Sequence, residues 1–164
     1  MPTDRVETLC DVLGEETRLC GALVAVLSEE QRAVVALRPG AILACLEERQ
    51  ALHEELERLA AHRRTLVNDA ASECGADAAQ SATSLLPLLP PDPQARLRAR
   101  LRALRRALLE ARSLERQNAL LAGASLEAIG EMLPALRALL PGVRYGADAQ
   151  VDTPAAAERV DRRA

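Results

Sequence analysis

The sequence predicts an all-α fold: an elongated antiparallel bundle of three long helices with a Pro-rich loop and a flexible C-terminal tail. Ala (32) and Leu (29), two strong helix formers, supply 61 of the 164 residues. β-branched and aromatic residues are scarce, with 10 Val, 2 Ile, 1 Tyr and no Phe or Trp, which argues against a sheet. Apolar residues recur in alternating steps of three and four, the spacing of a seam that a neighbouring helix covers.

Three helices are predicted, over residues 4–38, 41–72 and 92–140. Pro39-Gly40 interrupts the first pattern, so the chain is expected to fold back there into a hairpin. Asp92-Pro93 predicts an N-cap followed by proline at the first helical position. Pro134 is expected to kink the third helix or to start a new short one at residues 133–140.

The segment between the second and third helices is rich in Pro and Ser. Its leucines, at 85, 86, 88 and 89, are expected to hold this loop against the bundle. We therefore predict one helical domain over residues 1–145. Residues 146–164 are small, polar and Ala-rich, too poor in large apolar side chains to fold alone, and predict a flexible tail.

Charged residues on two seams predict the register of the hairpin. Glu16 and Glu30 are the only acids on the first seam, and Arg49 and Arg63 are the only bases on the second. Both pairs are spaced fourteen residues apart, so folding at Pro39-Gly40 brings Glu16 level with Arg63 and Glu30 level with Arg49. We expect two structural ion pairs, which fix register more than they add stability. The alternative is four independent charges that face solvent.

Little in the chain supports catalysis, and no catalytic residue, cofactor or metal ligand is assigned. His53 and His62 are nine residues apart, which places them on opposite sides of one helix. No Gly-rich loop follows a strand, so no phosphate cradle is indicated. The chain is not expected to be an enzyme.

The cysteines and the apolar runs indicate the cellular compartment of the protein. The four cysteines form no CxxC pair, and we interpret them as buried or half-buried thiols in a reducing cytoplasm; they are Cys10, Cys20, Cys45 and Cys74. The longest apolar run, residues 20–27, is far below the ~20 residues that span a bilayer. The N-terminus lacks the pattern of a secretory signal. We expect a cytoplasmic protein without membrane insertion.

The start of the third helix is strongly basic. Residues 92–118 carry 8 Arg and 3 acids, whereas residues 1–91 carry 15 acids and 8 Arg. One interpretation is nucleic-acid binding through phosphates. The other, which we favour, is internal: the acidic hairpin packs along the basic helix. Arginines at steps of two should circle the helix, and the chain lacks the aromatic rings that stack on bases.

The third helix changes character after Arg116. Residues 117–136 contain no basic residue and more apolar surface than a bundle seam requires. This segment is either a fully buried core helix or an exposed surface that docks a helix of a partner.

The chain resembles a known family at its C-terminal end. The matching residues are Arg116-Gln117-Asn118-Ala119-Leu120-Leu121, then Leu140-Pro141, then Val143-Arg144-Tyr145-Gly146-Ala147-Asp148-Ala149-Gln150. Together with the order of hairpin, Pro-bearing loop and long helix, they resemble the FlgN family, the cytosolic export chaperones of flagellar hook–filament junction proteins. Ala149 departs from the glycine common in that family.

The resemblance implies a chaperone of the flagellar type III secretion system. It would bind terminal helices of hook-associated proteins, prevent premature assembly and deliver these clients to the export gate. The implied client-binding residues are Asn118, Leu121, Ser125, Leu126, Ile129, Met132, Leu133 and Leu136. Tyr145 and Gly146 would contact the cytosolic domain of the export-gate protein, and the export ATPase complex is a further candidate partner. For Asn118 the residues also leave open a hydrogen bond across the bundle.

Two other classes remain open at this point. A structural coiled-coil protein would self-associate through the same apolar surface. A small helical nucleic-acid-binding protein would use the arginine-rich segment, although the acidic hairpin argues against it.

Overall fold

A computed structural model describes residues 2–76 and 81–139, together with two short strands in the C-terminal part. The long elements are all helical, as predicted: α1 (Pro2–Val35), α2 (Pro39–Glu73) and α3 (Pro91–Leu139), with a 3-10 segment (Ala82–Leu88) before α3. Their bounds lie within three residues of those predicted. α3 begins at Pro91, so Asp92 lies in its first turn and is not its N-cap.

Two strands of two residues each follow the helices. β1 (Arg144–Tyr145) pairs antiparallel with β2 (Val151–Asp152), with Tyr145 opposite Val151. The sequence did not predict this ladder, because strands of two residues are too short to show the alternation of side chains that marks a strand. The rest of the predicted tail, residues 146–150 and 153–164, lies outside the described part.

The chain divides into two compact units, Met1–Leu121 and Ala122–Ala164, with the division inside α3. The predicted helical domain over residues 1–145 and the tail over 146–164 stay a prediction, since most of the residues around that boundary are outside the described part.

Both hairpin helices end in a Schellman motif, but with different residues in the left-handed position. At the end of α2, Gly75 has φ +72°, and the Gly75 and Ala76 amides donate to the Ser72 and Ala71 carbonyls. At the end of α1 the same pair of hydrogen bonds forms around Leu37, with φ +51°. The predicted break at Pro39-Gly40 therefore falls slightly earlier, at residues 36–38, and Pro39 begins α2.

In the first unit, α1 and α2 run antiparallel and the first part of α3 lies alongside both. Glu7 meets Arg96 and Leu27 meets Asn118, so α3 runs in the same direction as α1. The largest fully buried side chains come from several elements and include Leu9, Leu13, Leu27, Leu85 and Leu97. The Leu-rich seam of α1 is covered by α2, the 3-10 segment and α3 together.

The predicted anchoring of the loop leucines is confirmed for Leu85 and Leu89, which are buried, and Leu86 packs partly against the core. Leu88 is exposed. The side-chain amide of Gln94 donates to the Leu86 carbonyl over 2.7 Å, which ties the 3-10 segment to the start of α3.

α3 continues through Pro134 to Leu139. The expected new helix at residues 133–140 is therefore wrong. Proline removes one helical hydrogen bond, but the surrounding Ala and Leu are strong helix formers that carry the helix past it.

Candidate functional site

The structure brings Glu16 and Arg63 together across the hairpin. Arg63 Nε lies 3.0 Å from Glu16 Oε1 and donates a hydrogen bond to it. Glu16 is only 3% exposed, and its second oxygen, Oε2, has no hydrogen-bond partner among the described residues. A carboxylate in this position depends on its single arginine, because burial of an unpaired charge is unfavourable.

Glu30 and Arg49 also meet at the predicted register. Arg49 Nη1 lies 3.1 Å from Glu30 Oε2. The same carboxylate oxygen accepts a hydrogen bond from Asn118 Nδ2 on α3, at 3.3 Å. One carboxylate of α1 therefore joins α2 and α3.

Asn118 is buried inside the first unit, at 7% exposure. Its Nδ2 donates to the Leu27 carbonyl over 2.8 Å as well as to Glu30. This arrangement matches the bond across the bundle that the sequence left open. The assignment of Asn118 to the client-binding surface is corrected accordingly, because its amide is directed towards α1.

The second unit begins with an exposed apolar face on α3. Its large side chains are 45–76% exposed. They are Leu126, Ile129, Met132, Leu133, Leu136 and Leu139. Of the two interpretations of this segment, the structure agrees with the exposed surface and not with a buried core helix.

We name these six residues the α3 apolar face. At ~100° per residue they occupy an arc of about 140° on the helix, while Glu127 and Glu131 lie on the opposite side. The face is about 20 Å long at ~1.5 Å per residue. The predicted residues Leu121 and Ser125 are half-buried. An exposed apolar stripe of this length is typical of a surface that binds another helix.

α3 is also the one helix in the described part whose length and composition would allow it to cross a membrane. Length and composition alone are weak evidence for a membrane span, because the core helix of a soluble protein can share both. A spanning helix is apolar all round. The charged side at Glu127 and Glu131 fits a helix that binds through one face.

The acidic hairpin packs along the basic start of α3, as predicted, although few ion pairs join the two. Within the described residues, Arg96 is the only arginine of residues 92–118 that forms an ion pair. Its Nη1 lies 3.2 Å from Glu7 Oε1. Most of the hairpin's acids in ion pairs bind arginines of the hairpin itself: Arg5 with Asp69 and Glu73, Arg18 with Glu15, Arg32 and Arg38 with Glu29, and Arg58 with Glu55. The other seven arginines of residues 92–118 have no carboxylate partner among the described residues.

These arginines also do not simply circle the helix. Arg98, Arg102, Arg105 and Arg112 follow steps of four, three and seven, so they lie on one stripe of α3. The alternation of Arg with other residues hid this heptad spacing. It could have been found by counting every third and fourth position.

The cysteines are placed as predicted: Cys10, Cys20 and Cys45 are buried and Cys74 is half-buried. Burial raises the pKa of the Cys10 and Cys20 thiols, which makes them poor nucleophiles.

Of the two histidines, His53 contacts α3: its Nε2 lies 3.3 Å from Glu115 Oε1. No group of three or more His, Cys, Asp or Glu residues that could hold a metal ion occurs in the described part.

The predicted gate-binding residues lie in the second unit. Tyr145 belongs to β1. Gly146 is outside the described residues.

No curated protein and no solved structure matches the chain. A family model described as FlgN protein matches residues 1–153, nearly the whole chain. The protein belongs to the FlgN family, a family of flagellar chaperones.

Proposed function

We propose that this protein is a cytoplasmic export chaperone of the flagellar type III secretion system that holds the terminal helices of hook-associated proteins. The chaperone keeps these clients from assembling early and delivers them to the export gate. Family membership supports the general role. The clients, the gate and the residues that bind them are the part proposed.

The observation that carries the proposal is the α3 apolar face. Six large apolar side chains share one side of a helix that carries charge on the other side. An amphipathic client helix would bury its apolar side there, and both partners would remove surface that otherwise favours aggregation. Each buried large side chain would contribute about 1.5–3 kcal/mol before the entropy of association is subtracted.

Ser125 lies on the same side of α3 as this face, and Leu121 is a further contact that the family resemblance implies. We retain them in the proposed client contact with Leu126, Ile129 and their neighbours. Asn118 is left out, because its amide binds α1.

The proposed contact with the export-gate protein is Tyr145 with Gly146. Tyr145 is the only aromatic residue of the chain. A tyrosine ring offers a large amphipathic contact at low entropic cost, which suits a small anchor. The export ATPase complex is a further proposed partner, on the family resemblance alone.

The test is a titration with a labelled peptide of the amphipathic terminal helix of a hook-associated protein from the same genome. The variant Ile129→Asp/Leu133→Asp places charge in the middle of the face at two exposed positions. Binding should weaken by about thirtyfold, as for the loss of a hot-spot residue. Thermal stability should be unchanged, because neither side chain is buried.

The matched control is Leu37→Asp/Leu43→Asp, two exposed leucines of the hairpin. This variant should bind the peptide like the unmodified protein. Equal losses in the two variants, or no loss in the α3 variant, would refute the proposed surface.

A further inference from the structure

A second surface of the first unit has a different chemistry. A groove of about 570 Å³ lies between α2, the 3-10 segment and α3. Its apolar lining is formed by leucines, namely Leu86, Leu101, Leu104, Leu108 and Leu109. Leu101 and Leu108 are half-buried and Leu109 is exposed, so the lining is accessible.

The groove is bordered by arginines, and no acid among the described residues lines it. Arg98, Arg102, Arg105 and Arg112 line it from α3, and Arg63 lines it from α2. Arg63 is bound to Glu16. The four arginines of α3 make no ion pair or hydrogen bond to another described residue, and all four are exposed. We name this surface the basic groove.

We propose that the basic groove binds an acidic amphipathic helix of a partner protein. The leucines would take the apolar side of that helix, and the four arginines would pair with Asp or Glu along its edges. This proposal concerns a surface separate from the α3 apolar face and does not depend on the proposed function.

The size of the groove fits a short helix. Arg98 and Arg112 are fourteen residues apart on α3, which corresponds to about 21 Å. A helix of about four turns would match that length. Carboxylates spaced three and four residues apart would then lie level with the arginine stripe, whose steps are also three and four.

Other occupants fit the groove less well. Nucleic-acid single strands are held by aromatic stacking, and the chain has no Phe or Trp and a single Tyr. Duplex DNA would use the arginines but leave the leucines exposed. The five leucines thus favour a partner with an apolar side.

The test uses a synthetic 14-residue helical peptide with Leu at heptad seam positions and Glu on the flanks. Binding is measured by fluorescence anisotropy against a scrambled peptide of the same composition. The first peptide should bind and the scrambled one should bind at least about tenfold more weakly, since scrambling separates its apolar side from its charges.

The variant Arg102→Glu/Arg105→Glu should weaken binding by about tenfold or more. The control Arg64→Glu/Arg106→Glu makes the same change in net charge at exposed arginines that do not line the groove. It should bind the peptide nearly as well as the unmodified protein. The variant Ile129→Asp/Leu133→Asp should also bind normally, which separates this groove from the α3 apolar face.

Three results would overturn the proposal. One is equal weakening by the groove and control variants, which would show an effect of net charge alone. Another is loss of binding in the Ile129→Asp/Leu133→Asp variant only, which would place the peptide on the α3 apolar face. The third is that the helical peptide does not bind the groove, whereas duplex DNA, anionic vesicles or a second copy of the protein does.

Discussion

Asn118 of α3 donates its side-chain amide to the carboxylate of Glu30 on α1, over 3.3 Å. Arg49 of α2 binds the same carboxylate oxygen at 3.1 Å. One charged group of the first unit therefore joins three helices. The position of α3 at this point depends on a polar contact as well as on leucine packing, and this contact can be tested by substitution.

Replacement of Asn118 by leucine should keep or raise thermal stability. Asn118 Oδ1 is buried without a hydrogen-bond partner among the described residues, and leucine removes that unfavourable group. Glu30 keeps Arg49 in this variant. Asn118→Asp should instead lower the free energy of unfolding by about 2 kcal/mol or more, because it buries a second carboxylate beside Glu30. Thermal denaturation followed by circular dichroism measures both, and a fall in stability for Asn118→Leu would contradict this account.

The Glu16–Arg63 pair should respond unequally to loss of its two members. Arg63→Ala leaves a buried carboxylate unpaired and should cost about 3 kcal/mol. Glu16→Leu leaves an arginine that can reach solvent and should change stability by less than about 1 kcal/mol. Urea denaturation gives both values.

Arg64→Ala is the control for this pair, since Arg64 is exposed and adjacent to Arg63. It should change the free energy of unfolding by about 0.5 kcal/mol at most. If Arg63→Ala were no more harmful than Arg64→Ala, Glu16 would not depend on its partner.

Leu37→Gly should stabilise the protein. Leu37 is 78% exposed and adopts φ +51°, a region that is unfavourable for a residue with a side chain. Glycine removes that strain, and the free energy of unfolding should rise by up to about 1 kcal/mol despite the greater entropy of the unfolded chain. The comparison is Leu43→Gly, at an exposed position inside α2, which should lower stability by about 1 kcal/mol. Identical effects of the two substitutions in urea denaturation would show that the left-handed conformation is not strained.

Tyr145→Ala should separate delivery from client binding. The proposed role predicts loss of binding to the cytosolic domain of the export-gate protein and loss of client secretion, with normal client binding and melting temperature. Calorimetric titration of the gate domain and a secretion assay measure the two effects. Should the ring have a structural role instead, stability and client binding would fall together.

The sequence predicted the register of the α1–α2 hairpin, but it misplaced the end of α1. Two acids and two bases on leucine seams admit one register, and Glu16 and Arg63 lie at it. The end of α1 was misplaced because glycine is the usual left-handed residue, whereas here Leu37 takes that position and Gly40 lies in α2.

The candidate surfaces were predicted in part. The apolar composition of α3 after Arg116 indicated an interaction surface, but composition alone could not show that Asn118 faces α1 while Ile129 and its neighbours face solvent. The arginine stripe was missed because arginines at steps of two were expected to circle the helix. The hairpin acids pair largely within the hairpin, since pairing between residues three apart in one helix, as for Arg18 and Glu15, is local.

The most direct test of the α3 apolar face is amide hydrogen exchange of the full chain, measured by mass spectrometry with and without the client's terminal helix. The account predicts that client binding slows exchange in residues 122–139 and leaves the hairpin of α1 and α2 unchanged. Slower exchange confined to the hairpin or to the basic groove, with residues 122–139 unaffected, would contradict the central claim.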